Sequence, residues 1–154
     1  MSVLMRRTMS VAGVALVMTL TACGGQVEDD RPGQPVKHRQ EAFKEMLRVS
    51  EPMGTMLRTG AYDADRFEAM AQALHALRER PWAYFGDDTN YPPTKALGSV
   101  WSKRAEFDEA AGRFRSAVGA LAEAAAGRDV NVVRTAHDEM AASCRDCHRE
   151  FRRK

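Results

Sequence analysis

Three residues near the C-terminus could do chemistry together: Cys144, Cys147 and His148. On a helix, side chains three and four apart share a face. Cys144 and Cys147 therefore point the same way, and His148 lies four after Cys144. Two thiols on one face can each add to a vinyl group while the neighbouring imidazole meets an iron. Cys144-Arg145-Asp146-Cys147-His148 thus has the pattern that attaches a c-type haem. Thioether bonds keep a haem that a bare ligand would lose, which suits a small exported domain. A zinc site would need a fourth ligand with its own knuckle, which His75 or His137 could supply only by coincidence. A redox dithiol belongs beside a βαβ unit, and this chain has no strand signals. The expectation is one covalent haem c, with Cys144 and Cys147 as its attachment points and His148 as the axial ligand of its iron.

Four helical stretches position these residues. The first runs from about Val36 to Arg58, with Arg39, Phe43, Met46, Ser50, Met53 and Leu57 on one face. Pro52 should kink it or split off its last turn, and Gly60 should stop it. The second runs from Ala64 to Arg80, capped by Asp63 and ended by Pro81. Its apolar face is Phe67, Met70, Leu74 and Leu77. The third covers Lys103 to Ala126, with Phe107, Ala111, Phe114, Val118, Leu121 and Ala125 at alternating spacings of four and three. The fourth covers Val130 to Arg152 behind an Asp129 cap and puts Val133, His137, Met140, Cys144, Cys147 and Phe151 in the same register. Short loops pair the first helix with the second and the third with the fourth. The fold class is therefore all-α, an antiparallel four-helix bundle. The long connection from Pro81 to Ser102 carries five aromatics, which suggests a loop packed onto the bundle. Whether it crosses the end or runs along the side stays open. His38 reads as solvated, His75 as a boundary residue, and His137, at an inward register position, as a core-edge residue, with distal ligation the alternative.

The rest of the chain bears on location. It has 154 residues, 44% hydrophobic and 29% charged, an ordinary globular composition sized for one core. Residues 1–22 read as an export leader: Arg6 and Arg7, then a mostly apolar stretch from Val11 to Leu20, too short to span a bilayer. The formal net charge is +2, so losing those two arginines leaves a near-neutral chain. No basic tract remains, which argues against a nucleic-acid partner. Leu20-Thr21-Ala22-Cys23 resembles a lipobox, in which Cys23 is acylated and becomes the new N-terminus. Gly24 is not the aspartate that resembles an inner-membrane retention signal, which favours an outer membrane where the host has two. Residues 23–35 then read as a lipidated flexible tether, and 36–154 as the folded domain.

Taken together, residues 36–154 resemble the cytochrome c-prime family. The likeness rests on the C-terminal haem motif in a bundle, on Val36-Lys37-His38-Arg39-Gln40, and on Glu51-Pro52-Met53-Gly54. It also rests on Pro81-Trp82-Ala83-Tyr84-Phe85, on Thr94-Lys95-Ala96 through Trp101, on Phe107, and on Arg152 four residues after His148. The resemblance implies a haem edge formed by Arg39 and Gln40, with Arg39 near a propionate and Thr94 and Lys95 contributing from the loop. It places Phe43 over the distal face of the iron. Phenylalanine cannot ligate, so the implied iron is five-coordinate, high-spin and open to small gases, nitric oxide and carbon monoxide. Arg152 would border the proximal side. The implied role is gas binding, with electron transfer as a further use, and no conventional catalytic constellation stands out. The alternative is a six-coordinate, low-spin electron carrier of the c-556 type, with Met46 as distal ligand. Periplasmic location on a lipid anchor follows from the leader, and a homodimer through the first two helices follows from the resemblance alone.

Overall fold

A computed structural model describes residues 28–154. The leader, Cys23 and the start of the tether lie outside the described residues.

Five helices form: α1 (Pro35–Thr59), α2 (Ala64–Leu77), the single turn α3 (Ser99–Ser102), α4 (Arg104–Ala126) and α5 (Val130–Phe151). The four long ones are the expected bundle, and α3 lies inside the long connection. Among the described residues there are no strands. The caps act as their residue types dictate. Asp63 accepts from the Arg66 amide at 3.0 Å, and Asp129 accepts from the Asn131 amide at 2.8 Å. Gly60 ends α1 at φ 71°, a left-handed conformation that costs glycine little.

Two points about the helices are settled. α1 continues through Pro52 as one element, so of the two outcomes expected there the split does not occur. Pro52 is only half-buried and the Arg48 it deprives of a partner is exposed, so water can satisfy the freed carbonyl. α2 stops at Leu77 instead of Arg80. The Trp82 indole N–H donates to the Arg78 carbonyl at 2.6 Å, so the last turn is capped by a side chain before Pro81 is reached.

The core follows the three-four registers. Phe67, Met53, Leu74, Leu121, Val118 and Val133 are fully buried, and every face residue expected on α4 is buried. Close packing runs α1 on α2, α2 on α4 and α4 on α5. The circuit is not closed by comparable packing between α5 and α1, and the site lies between those two helices.

The connection crosses the end of the bundle where α1 begins and α5 ends. Residues 95–97 zip onto the end of α5. The Leu97 amide donates to the Phe151 carbonyl at 2.9 Å and the Arg153 amide to the Lys95 carbonyl at 2.8 Å. The tether is shorter than expected. Asp29 is 3% exposed and its carboxylate accepts from the amides of Arg31, Val36 and Lys37 and from the Tyr91 hydroxyl. Residues 29–34 therefore belong to the domain, as a built cap for α1.

Candidate functional site

A cavity of about 870 Å³ separates α1 from α5. That volume suits a large organic cofactor. One wall is α5, which presents Cys144, Cys147, His148 and, a turn away on either side, Met140 and Phe151. The facing wall is α1, with Arg39, Gln40, Phe43 and Met46. Thr94, Lys95 and Ala96 close it from the connection, and Arg152 from beyond α5. Every site residue expected from the sequence within the described part therefore lines one cavity, and their sequence separations of up to about a hundred residues collapse into it.

Cys144 and Cys147 are half-buried free thiols on the α5 wall. Burial raises the Cys144 pKa, with the Met140 sulfur 3.9 Å from its own. Burial and the neighbouring Cys144 push Cys147 up to about 11. Both shifts favour the neutral thiol over the thiolate. Among the described residues no three His, Cys, Asp or Glu side chains converge as a metal-binding group. Desolvation and the nearby Arg152 lower the His148 pKa, which favours the neutral, ligating imidazole.

Phe43 is set in an aromatic cluster. Its ring meets Trp82 edge-on at 5.8 Å and Phe85 at 6.4 Å. Met46, one turn on, is 5% exposed and belongs to the main core as well as to the cavity wall.

Arg39 is 2% exposed. Nη1 donates to the Tyr84 carbonyl at 2.9 Å and the Thr89 hydroxyl at 3.0 Å. Nη2 donates to the Thr89 carbonyl at 2.9 Å and the Thr94 hydroxyl at 2.6 Å. Both terminal nitrogens thus donate to the connection. No described carboxylate makes an ion pair with Arg39, although the charge of Asp29 favours its charged form against desolvation. A buried cation without a directly paired carboxylate at the rim of an apolar cavity fits a cofactor that carries carboxylates. Thr94 is held between Arg39 and the Ala96 amide, and Gln40 donates to the Pro93 carbonyl at 3.3 Å. Lys95 and Arg152 line the cavity and are exposed.

Two groups of residues were not assigned to the site by the sequence reading. Asp29, Thr89 and Tyr91 build the rim through contacts fifty or more residues apart, which no local pattern records. Gly54, Arg58 and His137 form the inner end of the cavity. His137 lies three turns before His148 on the same helix, about 16.5 Å along it, so it cannot oppose His148 across an iron.

Residues 34–152 match the family described as Cytochrome C'. A cytochrome c' from Alcaligenes xylosoxydans xylosoxydans is 32% identical over 125 residues, covering 80% of this chain and 97% of the relative. One from Halomonas halodenitrificans is 30% identical, covering 79% of this chain and 97% of the relative. The structure of cytochrome c prime from Shewanella frigidimarina superposes with a TM-score of 0.78 at 29% identity, over 82% of this chain and all of that one. A nitric oxide complex of a point mutant of cytochrome c prime from Alcaligenes xylosoxidans superposes with a TM-score of 0.76 at 32% identity, over 82% of this chain and 99% of that one.

Proposed function

The chain belongs to the cytochrome c' family and is a haem c protein, and from that premise we propose that it binds nitric oxide, and carbon monoxide, at an iron with one open face. Bound haem supplies an iron that can take up a diatomic gas and change its oxidation state. Cys144 and Cys147 would hold the haem covalently, and His148 would be the protein's single ligand to its iron. The observation that carries the reading is Phe43. On the α1 wall it offers no donor atom, and Trp82 and Phe85 hold its ring in place. With the haem held from α5, it would shield the side facing α1 from water and from larger ligands. It also gives no hydrogen bond to polarised dioxygen, which weighs against oxygen carriage more than against nitric oxide. That a related protein was crystallised as a nitric oxide complex supports the same reading.

Arg39 fixes the rim, while Lys95 and Arg152 add positive charge where carboxylates would sit. The protein would bind and exchange ligands or electrons; among the described residues no side chains form a catalytic set, and any turnover would be the iron's. Met46 supports a second reading, because it lines the same wall and carries a thioether. The ferric and ferrous absorbance and magnetic spectra separate the two. High-spin spectra that respond to nitric oxide are expected. A low-spin ferrous spectrum, lost in Met46→Ala, would overturn the proposal in favour of an electron carrier.

Acylation at Cys23, a periplasmic place on a membrane and pairing through α1 and α2 belong to the same proposal. They rest on the leader and the family resemblance. Mass spectrometry of the mature N-terminus tests the first, fractionation of cells the second, and sedimentation of the soluble domain the third.

A further inference from the structure

We infer that the side of the bundle between α1 and α5, over the mouth of the cavity, docks an acidic one-electron carrier protein. This rests on the electron exchange proposed above, and it does not depend on which gas the iron takes.

The carrying observation is how the cations divide between the faces of the bundle. Every arginine of α4 is paired: Arg104 with Asp108, Arg113 with Glu109 and Arg115 with Glu79. On α1, none of Lys37, Arg39, Lys44, Arg48 and Arg58 has a carboxylate within ion-pair distance among the described residues. Two of that helix's glutamates are already taken, Glu41 by His38 and Glu45 by Arg80. Arg145 of α5 is equally free, whereas Arg149, one turn on, holds Asp146.

The free charges gather on the lips of the cavity. Along α1, Gln40, Lys44, Leu47 and Glu51 repeat at spacings of four, three and four, and all line it. Along α5, Ala141, His148 and Arg152 line it, and Arg145 falls between them in the same register. Arg48 stands one turn after Lys44. Lys44, Arg48 and Arg145 are all exposed. A haem's pair of carboxylates would not absorb them, because Arg39, Lys95 and Arg152 at the rim already outnumber that pair. Lys44 to Arg48 stand about 14–20 Å along α1 from its start, on the side of the bundle and not at its end.

Among these cations sits Leu47, 52% exposed and one of only two large apolar side chains so open among the described residues. It offers nothing to a small anion, but a protein with carboxylates around an apolar contact would cover it. A second copy of this chain has no such face. Its unpaired carboxylates, Glu51, Asp87, Asp88, Glu123 and Glu139 among them, are spread over α1, the connection, α4 and α5. Opposite charge steers the carrier to this side and holds its reacting group beside the cavity. One electron then leaves the carrier, which is oxidised, and a ferric iron becomes ferrous; no bond forms or breaks.

The test follows reduction of the haem-loaded ferric protein by fully reduced flavodoxin, an acidic flavin protein that gives up one electron, in stopped-flow below saturation. The second-order rate should fall about tenfold or more as ionic strength rises from about 0.01 M to about 1 M, where the screening length shrinks from about 30 Å to about 3 Å. At low ionic strength Lys44→Glu and Arg145→Glu should each lower it about threefold or more. Arg66→Glu makes the same change in net charge at an exposed, unpaired cation on α2 and should leave the rate unchanged. Leu47→Ser should slow the reaction even at high ionic strength. Reduction by dithionite, a small ion, checks electron exchange by itself. Normal reduction by dithionite, with a flavodoxin rate indifferent to salt and to both reversals, overturns the docking face and leaves electron exchange standing. Failure of dithionite to reduce the iron overturns both. Equal slowing in Arg66→Glu would trace the effect to net charge and also overturns the face. Vesicles of phosphatidylglycerol that bind Cys23→Ser protein through Lys44, with the flavodoxin rate unchanged in Lys44→Glu, would assign the face to lipid and overturn the proposal as well.

Discussion

Phe43 and Asp29 show how single residues set this site in different ways. Phe43 sits on the α1 wall in ring contact with Trp82 and Phe85. Such aromatic pairs contribute about 0.5–1.5 kcal/mol each. If a gas must displace the ring, forfeiting one pair slows entry by about two- to tenfold. Phe43→Ala should therefore speed carbon monoxide association with the reduced protein by about that factor in stopped-flow, and an unchanged rate would show the ring is not in the path. Asp29 works through charge. Burial would raise its pKa, but the Tyr91 hydroxyl and the amides of Lys37, Arg31 and Val36 outweigh that and hold it below its ordinary 3.8. A carboxyl whose folded pKa is depressed stabilises above its unfolded value and loses that contribution as pH falls through the folded one. Asp29→Asn should lower the thermal midpoint by a few degrees at neutral pH, with the gap to wild type closing below about pH 4. The two residues also differ in legibility. Cys144, Cys147 and His148 could be recognised because the chemistry needs them within five residues of each other. Phe43 could be placed by helical register with Arg39. Asp29 could not, because its partners at 36, 37 and 91 depend on how the chain before α1 folds back.

At the scale of elements, the helices were legible and the connection was not. The four-three registers of α4 and α5, the Asp63 and Asp129 caps and the Gly60 stop are all local, so the sequence carries them openly. Pro52 does not split off the last turn, because a proline's cost in a helix depends on whether water reaches the carbonyl it strands. The path of residues 81–102 is decided by long-range bonds, above all the four from Arg39. The planar guanidinium serves two carbonyls and two hydroxyls at once, and an ammonium in its place has the wrong shape and too few donors. Arg39→Lys should therefore leave buried acceptors unpaired and lower stability by about 2–4 kcal/mol. Hydrogen exchange should locate the damage: the amides of Phe85, Thr89 and Thr94 should exchange faster, while those in the middle of α4 keep their protection relative to global unfolding. Uniform loss across α4 as well would mean that Arg39 supports the bundle instead of the rim.

On the scale of the whole molecule, the cap at Asp29 changes how the domain would stand on a membrane. The bundle end that carries the start of α1, the connection and the end of α5 is also the end at which the chain before Asp29 enters. With residues 29–34 packed on the domain, only residues 24–28 separate it from Cys23. Five residues reach at most about 18 Å. An acylated Cys23 would thus hold the rim of the cavity close to the bilayer, where an apolar gas is concentrated, and not on the long tether first expected from residues 23–35. Exposed Arg31, Lys95, Arg152, Arg153 and Lys154 at this end would face anionic headgroups, against Asp30, Asp87 and Asp88. Acylated protein on phosphatidylglycerol-containing vesicles should have Trp101 fluorescence quenched by a lipid-borne quencher. Inserting about twenty Gly and Ser residues between positions 28 and 29 adds a coil of roughly 25 Å mean span. It should relieve most of that quenching while vesicle co-sedimentation persists. Cys23→Ser should abolish co-sedimentation itself, which separates failure of the anchor from failure of the orientation. Equal quenching with and without the insertion would mean that the cationic end, and not the short tether, holds the domain against the lipid.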